Sequence, residues 1–313
     1  MSILPSPPLQ VRFTKLHFLV QTTESKRWPV NKVSALRGGM GEALLRMHCV
    51  RDRRCEECSF KDDCLVQRMM YSHMKIQPAF MSRGDSMGYV LECTDYRNYL
   101  EAGEELEFHL LLIGSNIACF NLYLQAFQYL GMMGVGKEHA RYEILRVTDS
   151  TRRTILRNRE LCMTDFPVQT LQQYLELRKQ EQPYKLRTSQ LRILLRTPLC
   201  LKYRGAFLSQ LVPEALMESA SRRLYMLDCF EGIPTDAVPT ADHLPKISHQ
   251  KITMQSVKRF STTHNDKINL TGITGSVDLT DVDETAQELL LIGELLHLGK
   301  NTSFGFGQYV ITG

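Results

Sequence analysis

The chain has 313 residues, 43% of them hydrophobic and 23% charged, with a formal net charge of +4. That is a globular composition long enough for two cores, and it excludes a disordered or collagen-like sequence. No apolar run is long enough to span a bilayer, and no basic segment followed by an apolar one opens the chain, so a cytoplasmic protein is expected.

In chain order, residues 11–20 alternate and predict a strand, and residues 34–48 predict a helix entered through Gly38, Gly39 and Gly41. A cysteine-rich stretch follows. Strands are predicted at 87–92 and 104–114, an apolar helix at 118–131, and a strand at 141–147. This is the order βαββαβ with an insertion after the first helix. The second half repeats it: a strand at 190–197, a helix at 213–230 opened by Pro213, strands at 251–260 and 267–278, a helix at 283–297 and a strand at 305–312. Both halves end in an apolar helix, a Gly-rich turn and a strand. The expectation is an α+β protein made of two tandem ferredoxin-like domains. The first covers residues 1–148, with the cysteine insertion at 49–64. A basic linker at 149–185, with room for a helix at 168–180, leads to the second domain at 186–313.

Charge is unevenly placed. Residues 137–204 hold fifteen Lys or Arg against seven Asp or Glu, and residues 276–294 hold six acids and no base. A face for a polyanion, with acids kept away from it, produces such a pattern.

Nine cysteines in a chain without an export signal point to thiols and metal ligands, not to a disulfide framework. Cys49, Cys55, Cys58 and Cys64 are spaced C-x5-C-x2-C-x5-C among Arg51, Arg53, Arg54, Lys61 and Arg68. Two cysteines two residues apart bind one metal in a tight turn, and the outer pair closes a tetrahedron. Basic neighbours favour the thiolate. A structural zinc and a 4Fe–4S cluster both fit four thiolates, and the spacing leaves the choice open. With four protein ligands the ion has no open position for a reacting water.

The last segment, Gly293-Glu-Leu-Leu-His-Leu-Gly-Lys-Asn-Thr-Ser-Phe-Gly-Phe-Gly-Gln-Tyr-Val-Ile-Thr-Gly313, carries the functional reading. Gly299, Gly305 and Gly307 are expected to let backbone amides approach an anion, and Lys300 to supply a cation. Phe304, Phe306 and Tyr309 offer faces for an unpaired base.

That tail resembles the C-terminal signature of the CRISPR repeat-RNA-processing endoribonucleases of the RAMP superfamily. Further matches are Leu36-Arg-Gly-Gly-Met-Gly-Glu-Ala-Leu-Leu-Arg, Leu112-Ile-Gly-Ser, Gly134-Val-Gly-Lys137, Thr197-Pro-Leu and Gly272-Ile-Thr-Gly275. The four-cysteine insertion is similar to that of one branch of the family. The resemblance implies two ferredoxin-like domains that bind a repeat transcript and cut it once per repeat. It implies cleavage without a catalytic metal, by attack of a 2′-hydroxyl that leaves a 2′,3′-cyclic phosphate. It also implies further CRISPR-associated effector subunits as partners, and no membrane.

Such a reaction needs a base, an acid and cations. His48, at the end of the first predicted helix, and His297, within the signature, are the candidates for proton transfer, with Lys300 for the developing charge. His17, on a strand face, reads as structural. Lys137, Arg204, Lys258, Arg259 and Lys300, with Gly299, Gly305 and Gly307, form the expected RNA-contacting set, each cation adding salt sensitivity. A non-catalytic subunit that holds guide RNA inside an effector complex is the alternative reading.

Overall fold

A computed structural model describes residues 9–71, 73–78, 86–158, 160–162, 165–181, 189–234, 241, 243–261 and 266–312, except for the side chains of 258–261 and 266–267. The first half contains β1 (Arg12–Thr22), β2 (Lys26–Arg27), α1 (Lys32–His48), α2 (Leu65–Met70), β3 (Tyr89–Glu92), β4 (Tyr99–Leu100), β5 (Glu105–Ile113), α3 (Phe120–Met133) and β6 (Tyr142–Asp149). Next come β7 (Thr154–Arg157), β8 (Glu160–Leu161), β9 (Gln169–Thr170) and α4 (Leu171–Glu181). The second half contains β10 (Leu191–Leu199), β11 (Lys202–Tyr203), β12 (Ala206–Phe207), α5 (Pro213–Glu231), β13 (Lys246–Ser261), β14 (Asp266–Thr280), α6 (Glu284–Leu296) and β15 (Tyr309–Thr312).

Each half is a βαββαβ unit with the same antiparallel strand order. In the first sheet the order is β3-β5-β1-β6, extended by β7 and β8, and in the second it is β13-β14-β10-β15. Local chemistry sets the helix ends. Asn31 caps α1 by accepting the Ser34 N–H, and Asp283 caps α6 by accepting the Ala286 N–H at 2.7 Å. Pro213 stands in the first turn of α5, and Gly232 ends it in the left-handed region (φ +74°).

The described residues of the expected linker at 149–185 form short paired strands and a helix. β7 and β8 widen the first sheet because Ile155 and Leu156 are buried against it, and β9 pairs with the start of β1. α4 leans on the second domain, where Arg178 pairs with Glu294 (2.8 Å) and Lys179 with Glu284 and Glu288. The predicted terminal strand at 305–312 is shorter in the structure. Gly305 and Gly307 both take positive φ, which bends 302–307 into a turn before β15 begins.

The two faces of the first sheet do different work. Leu16, Phe18 and Val20 point to the domain's own helices. On the opposite face, Val11, Phe13, Val90, Leu111 and Ile113 join the core of the second domain. Farther along that second face the side chains turn polar: Lys15 and His17 on β1, Glu92 on β3, Glu107 and His109 on β5. The apolar rows fuse the domains, and the polar rows mark where that contact ends.

A candidate nucleic-acid cleft between the two domains

The turn after α6 is wedged between the domains. Its backbone is fixed by its own polar groups: Gly299 N–H donates to Ser219 Oγ, Lys300 N–H to the Cys200 carbonyl, Gly305 N–H to Thr302 and Gly307 N–H to Pro198. These amides are therefore spent inside the protein, and the expectation that Gly299, Gly305 and Gly307 turn their amides to an anion is corrected. The glycines serve close approach instead. A Cβ on Gly307 would stand 1.8 Å from the Leu298 carbonyl oxygen, and one on Gly299 2.4 Å from that of Cys200. Gly305 lies against Val33 of α1. Phe306 and Tyr309, read as stacking faces, are buried core residues. The Tyr309 hydroxyl passes over Gly293 and donates to the Leu290 carbonyl.

His297 is likewise corrected as a candidate for proton transfer. It is fully buried, with Nδ1 3.1 Å from the Phe306 carbonyl and Nε2 3.1 Å from Glu92 of the first domain. Its φ of +60° is a costly conformation for a residue with a Cβ, held by these two bonds. Glu92 also receives Lys15 (2.8 Å) and His109 Nδ1 (3.0 Å). Burial is the largest influence on Glu92 and pushes its pKa up, but Lys15 and the bonds from His109 and His297 outweigh it, holding the carboxyl well below its usual range. His297 is a pin between domains.

What remains open to solvent around the turn is a cleft of about 590 Å³ between α1, α5 and the loop. Arg37, Lys202, Arg222, Arg223 and Lys300 line it, with Glu218 as an acid among them. The Arg37 guanidinium lies over the Phe304 ring, 4.5 Å from its centroid, and its Nε is buried without a hydrogen-bond partner. Arg223 is held from behind, donating to the Leu296 carbonyl at 3.2 Å. Thr302 and Ser303 complete the wall. An anionic chain fits such a lining, with Phe304 and Tyr203 as aromatic surfaces.

The expected residues fall into three groups. Lys300 faces the cleft, and Arg204 stands beside it with its guanidinium 5.1 Å from the ring of Tyr203. Lys137 is exposed on the turn after α3 and lines no part of the cleft. Lys258 and Arg259 lie on β13, with side chains outside the described residues. His48 ends α1 eleven residues beyond Arg37, about 16 Å along the helix axis. Sequence reasoning missed Arg37, Arg222 and Arg223. Their signal was a cation beside Gly38-Gly39 and an adjacent Arg pair in the middle of an amphipathic helix.

The cysteine loop lies elsewhere. Cys49 follows α1, Cys55 and Cys58 flank one 3-10 turn, and Cys64 precedes α2. All four are half-buried thiols. Cys49 Sγ accepts the Arg53 N–H at 3.3 Å and Cys55 Sγ accepts from Gln67 at 3.2 Å. The turn between Cys55 and Cys58 buries no residue, so this loop has no apolar core to hold it. No three of the four Sγ atoms lie within 4.8 Å of one another, so the structure does not bring them together as a ligand set.

Residues 193–309 match the family profile of the CRISPR-associated endoribonuclease Cas6, and residues 9–168 match AF_1859_N, an N-terminal domain. Residues 193–309 thus carry a Cas6-family domain. A chain of a partial Cas6-RT-Cas1–Cas2 complex is 12% identical to it, with a TM-score of 0.57 over 99% of this chain and 47% of that one. In a second Cas6-RT-Cas1–Cas2 complex the identity is 12% and the TM-score 0.57, over 99% and 29%. Thermus thermophilus Cas6 is 11% identical, with a TM-score of 0.47 over 96% and 99%. The chain thus spans less than half the length of the matching chains in the two complexes. No curated protein matches it. Among the described residues, no helix is long and apolar enough to cross a membrane.

Proposed function

We propose that this chain binds CRISPR repeat RNA in the interdomain cleft and cleaves it within each repeat to release guide RNAs. The observation that carries the reading is the convergence of five cations from both domains and the C-terminal loop on one groove. The substrate's own 2′-hydroxyl is the nucleophile, and the products are a 2′,3′-cyclic phosphate and a 5′-hydroxyl. Arg37 and Lys300 stabilise the charge that develops on the phosphorane oxygens, and the groove holds the 2′-hydroxyl in line with the leaving oxygen. The four cysteines hold a structural zinc or 4Fe–4S cluster that orders residues 49–64 and takes no part in the cut. The guide RNA then passes to further CRISPR-associated subunits.

A specific observation favours a second reading. Among the described residues no histidine lines the cleft, His297 is buried and His48 is about three helical turns away from Arg37, which suits a subunit that holds guide RNA without cutting it. Labelled repeat RNA from the protein's own locus, incubated in excess EDTA beside a 2′-deoxy analogue, separates the two. One discrete cut abolished by the deoxy substitution supports the enzyme. Tight binding with no cut supports the holding subunit.

A further inference from the structure

The polar rows on the open face of the first sheet bring together three side chains that the RNA cleft does not use. His17 on β1 lies directly across from His109 on β5, their rings 4.3 Å apart, and Glu107 stands two residues before His109 on the same face. Glu107 Oε1 is 3.0 Å from His109 Nε2 and 3.4 Å from His17 Nδ1. Among the described residues this is the one group of three or more His, Cys, Asp or Glu side chains whose ligand atoms all lie within 4.8 Å of one another.

We propose that His17, Glu107 and His109 form a binding site for a divalent transition-metal ion. Two imidazoles and one carboxylate suit zinc and its neighbours in the first transition row. The surroundings are those of a metal-ligating histidine. Glu92 takes the Nδ1 side of His109 at 3.0 Å, which leaves Nε2 turned to the other two ligands. A carboxylate behind a ligating histidine fixes its tautomer and ring orientation. Glu92 is itself fixed by Lys15 and His297, so the support reaches into the domain interface. The site is also reachable: His17 and His109 are each a little over a quarter exposed and Glu107 about half. Three protein ligands leave at least one position for water or a phosphate oxygen.

The inference does not depend on RNA cleavage, and it is distinct from the cysteine loop in ligand type. Cobalt(II) titration of the full chain reads both sites at once, because thiolate charge-transfer bands mark cysteine binding and weaker d–d bands alone mark nitrogen and oxygen ligands. The expected result is one equivalent bound without thiolate bands. His17→Gln and His109→Gln should each weaken that equivalent by at least about tenfold, and Glu92→Gln, which acts through His109, by on the order of ten- to a hundredfold. The thiolate bands should not change in any of these variants. Copper(II) EPR on the unsubstituted chain gives a reading that needs no variant, with splitting from two nitrogen ligands expected. Binding confined to thiolates, a copper signal without nitrogen splitting, or unchanged affinity in His17→Gln and His109→Gln would each overturn the proposal.

Discussion

The two Gly-rich turns occupy the same place in their βαββαβ units, and each carries a lysine, yet they sit in different surroundings. The first, Gly134 to Ala140, closes with a bridge between Val135 and Ala140 and leaves Lys137 and His139 exposed at the edge of the molecule. The second, Gly299 to Gly307, is wedged against α1 and α5, its Lys300 bridged to Cys200 and its preceding His297 pinned to Glu92 of the other domain. On the proposed reading, a repeated motif acquires a binding role through what packs against it. The turn supplies shape and one cation; the neighbouring domain and helix supply Arg37, Arg222 and Arg223.

The largest effect should come from breaking the second turn. Gly307→Ala places a Cβ where the Leu298 carbonyl stands, at a φ of +74°, and should cost on the order of 3 kcal/mol or more in thermal or denaturant unfolding. Gly136→Ala has a similar φ but meets only the Pro29 ring, and should cost about 1–2 kcal/mol. Equal losses would mean that the two turns are equally constrained.

The histidines sharpen the same contrast. His297→Ala removes one partner from the buried Glu92 and should cost about 2–4 kcal/mol, whereas exposed His139→Ala should stay within about 0.5 kcal/mol. The pin also has a pH dependence. Glu92 has a folded pKa below its unfolded value near about 4.3, so its stabilisation is present above that value and is lost as pH falls below it toward the folded pKa. The unfolding midpoint should drop as pH falls below about 4.3, and Glu92→Gln should flatten that drop.

Much of the fold was legible because its periodicity is strong. The alternation in β1 and β5 and the capped, apolar α6 mark their own types, and the duplication marks the topology. The ordered part of 149–185 was hidden because β7 through β9 are two to four residues long and owe their pairing to the sheet edge they meet. The candidate cleft was legible in one of its lining cations, Lys300, while the glycines and His297 were misread. From sequence a glycine that lets a ligand approach and one that lets a neighbouring carbonyl approach look the same. Only the partner across the turn distinguishes them, and Cys200, Pro198 and Glu92 are distant in sequence. His17 and His109 were passed over for a similar reason: their meeting depends on the register of β1 against β5.

The smallest effect should be Lys137→Ala, which should change affinity for repeat RNA less than about twofold. It is the reference for the measurement that tests the cleft most directly: RNA affinity of Arg37→Ala/Lys300→Ala and of Lys137→Ala, each across a salt series. If RNA lies in the cleft, the double variant loses on the order of a hundredfold in affinity and its salt slope falls by about one to two, while Lys137→Ala keeps the wild-type slope. A double variant that binds with unchanged affinity and slope would contradict the account and place the RNA elsewhere on the protein.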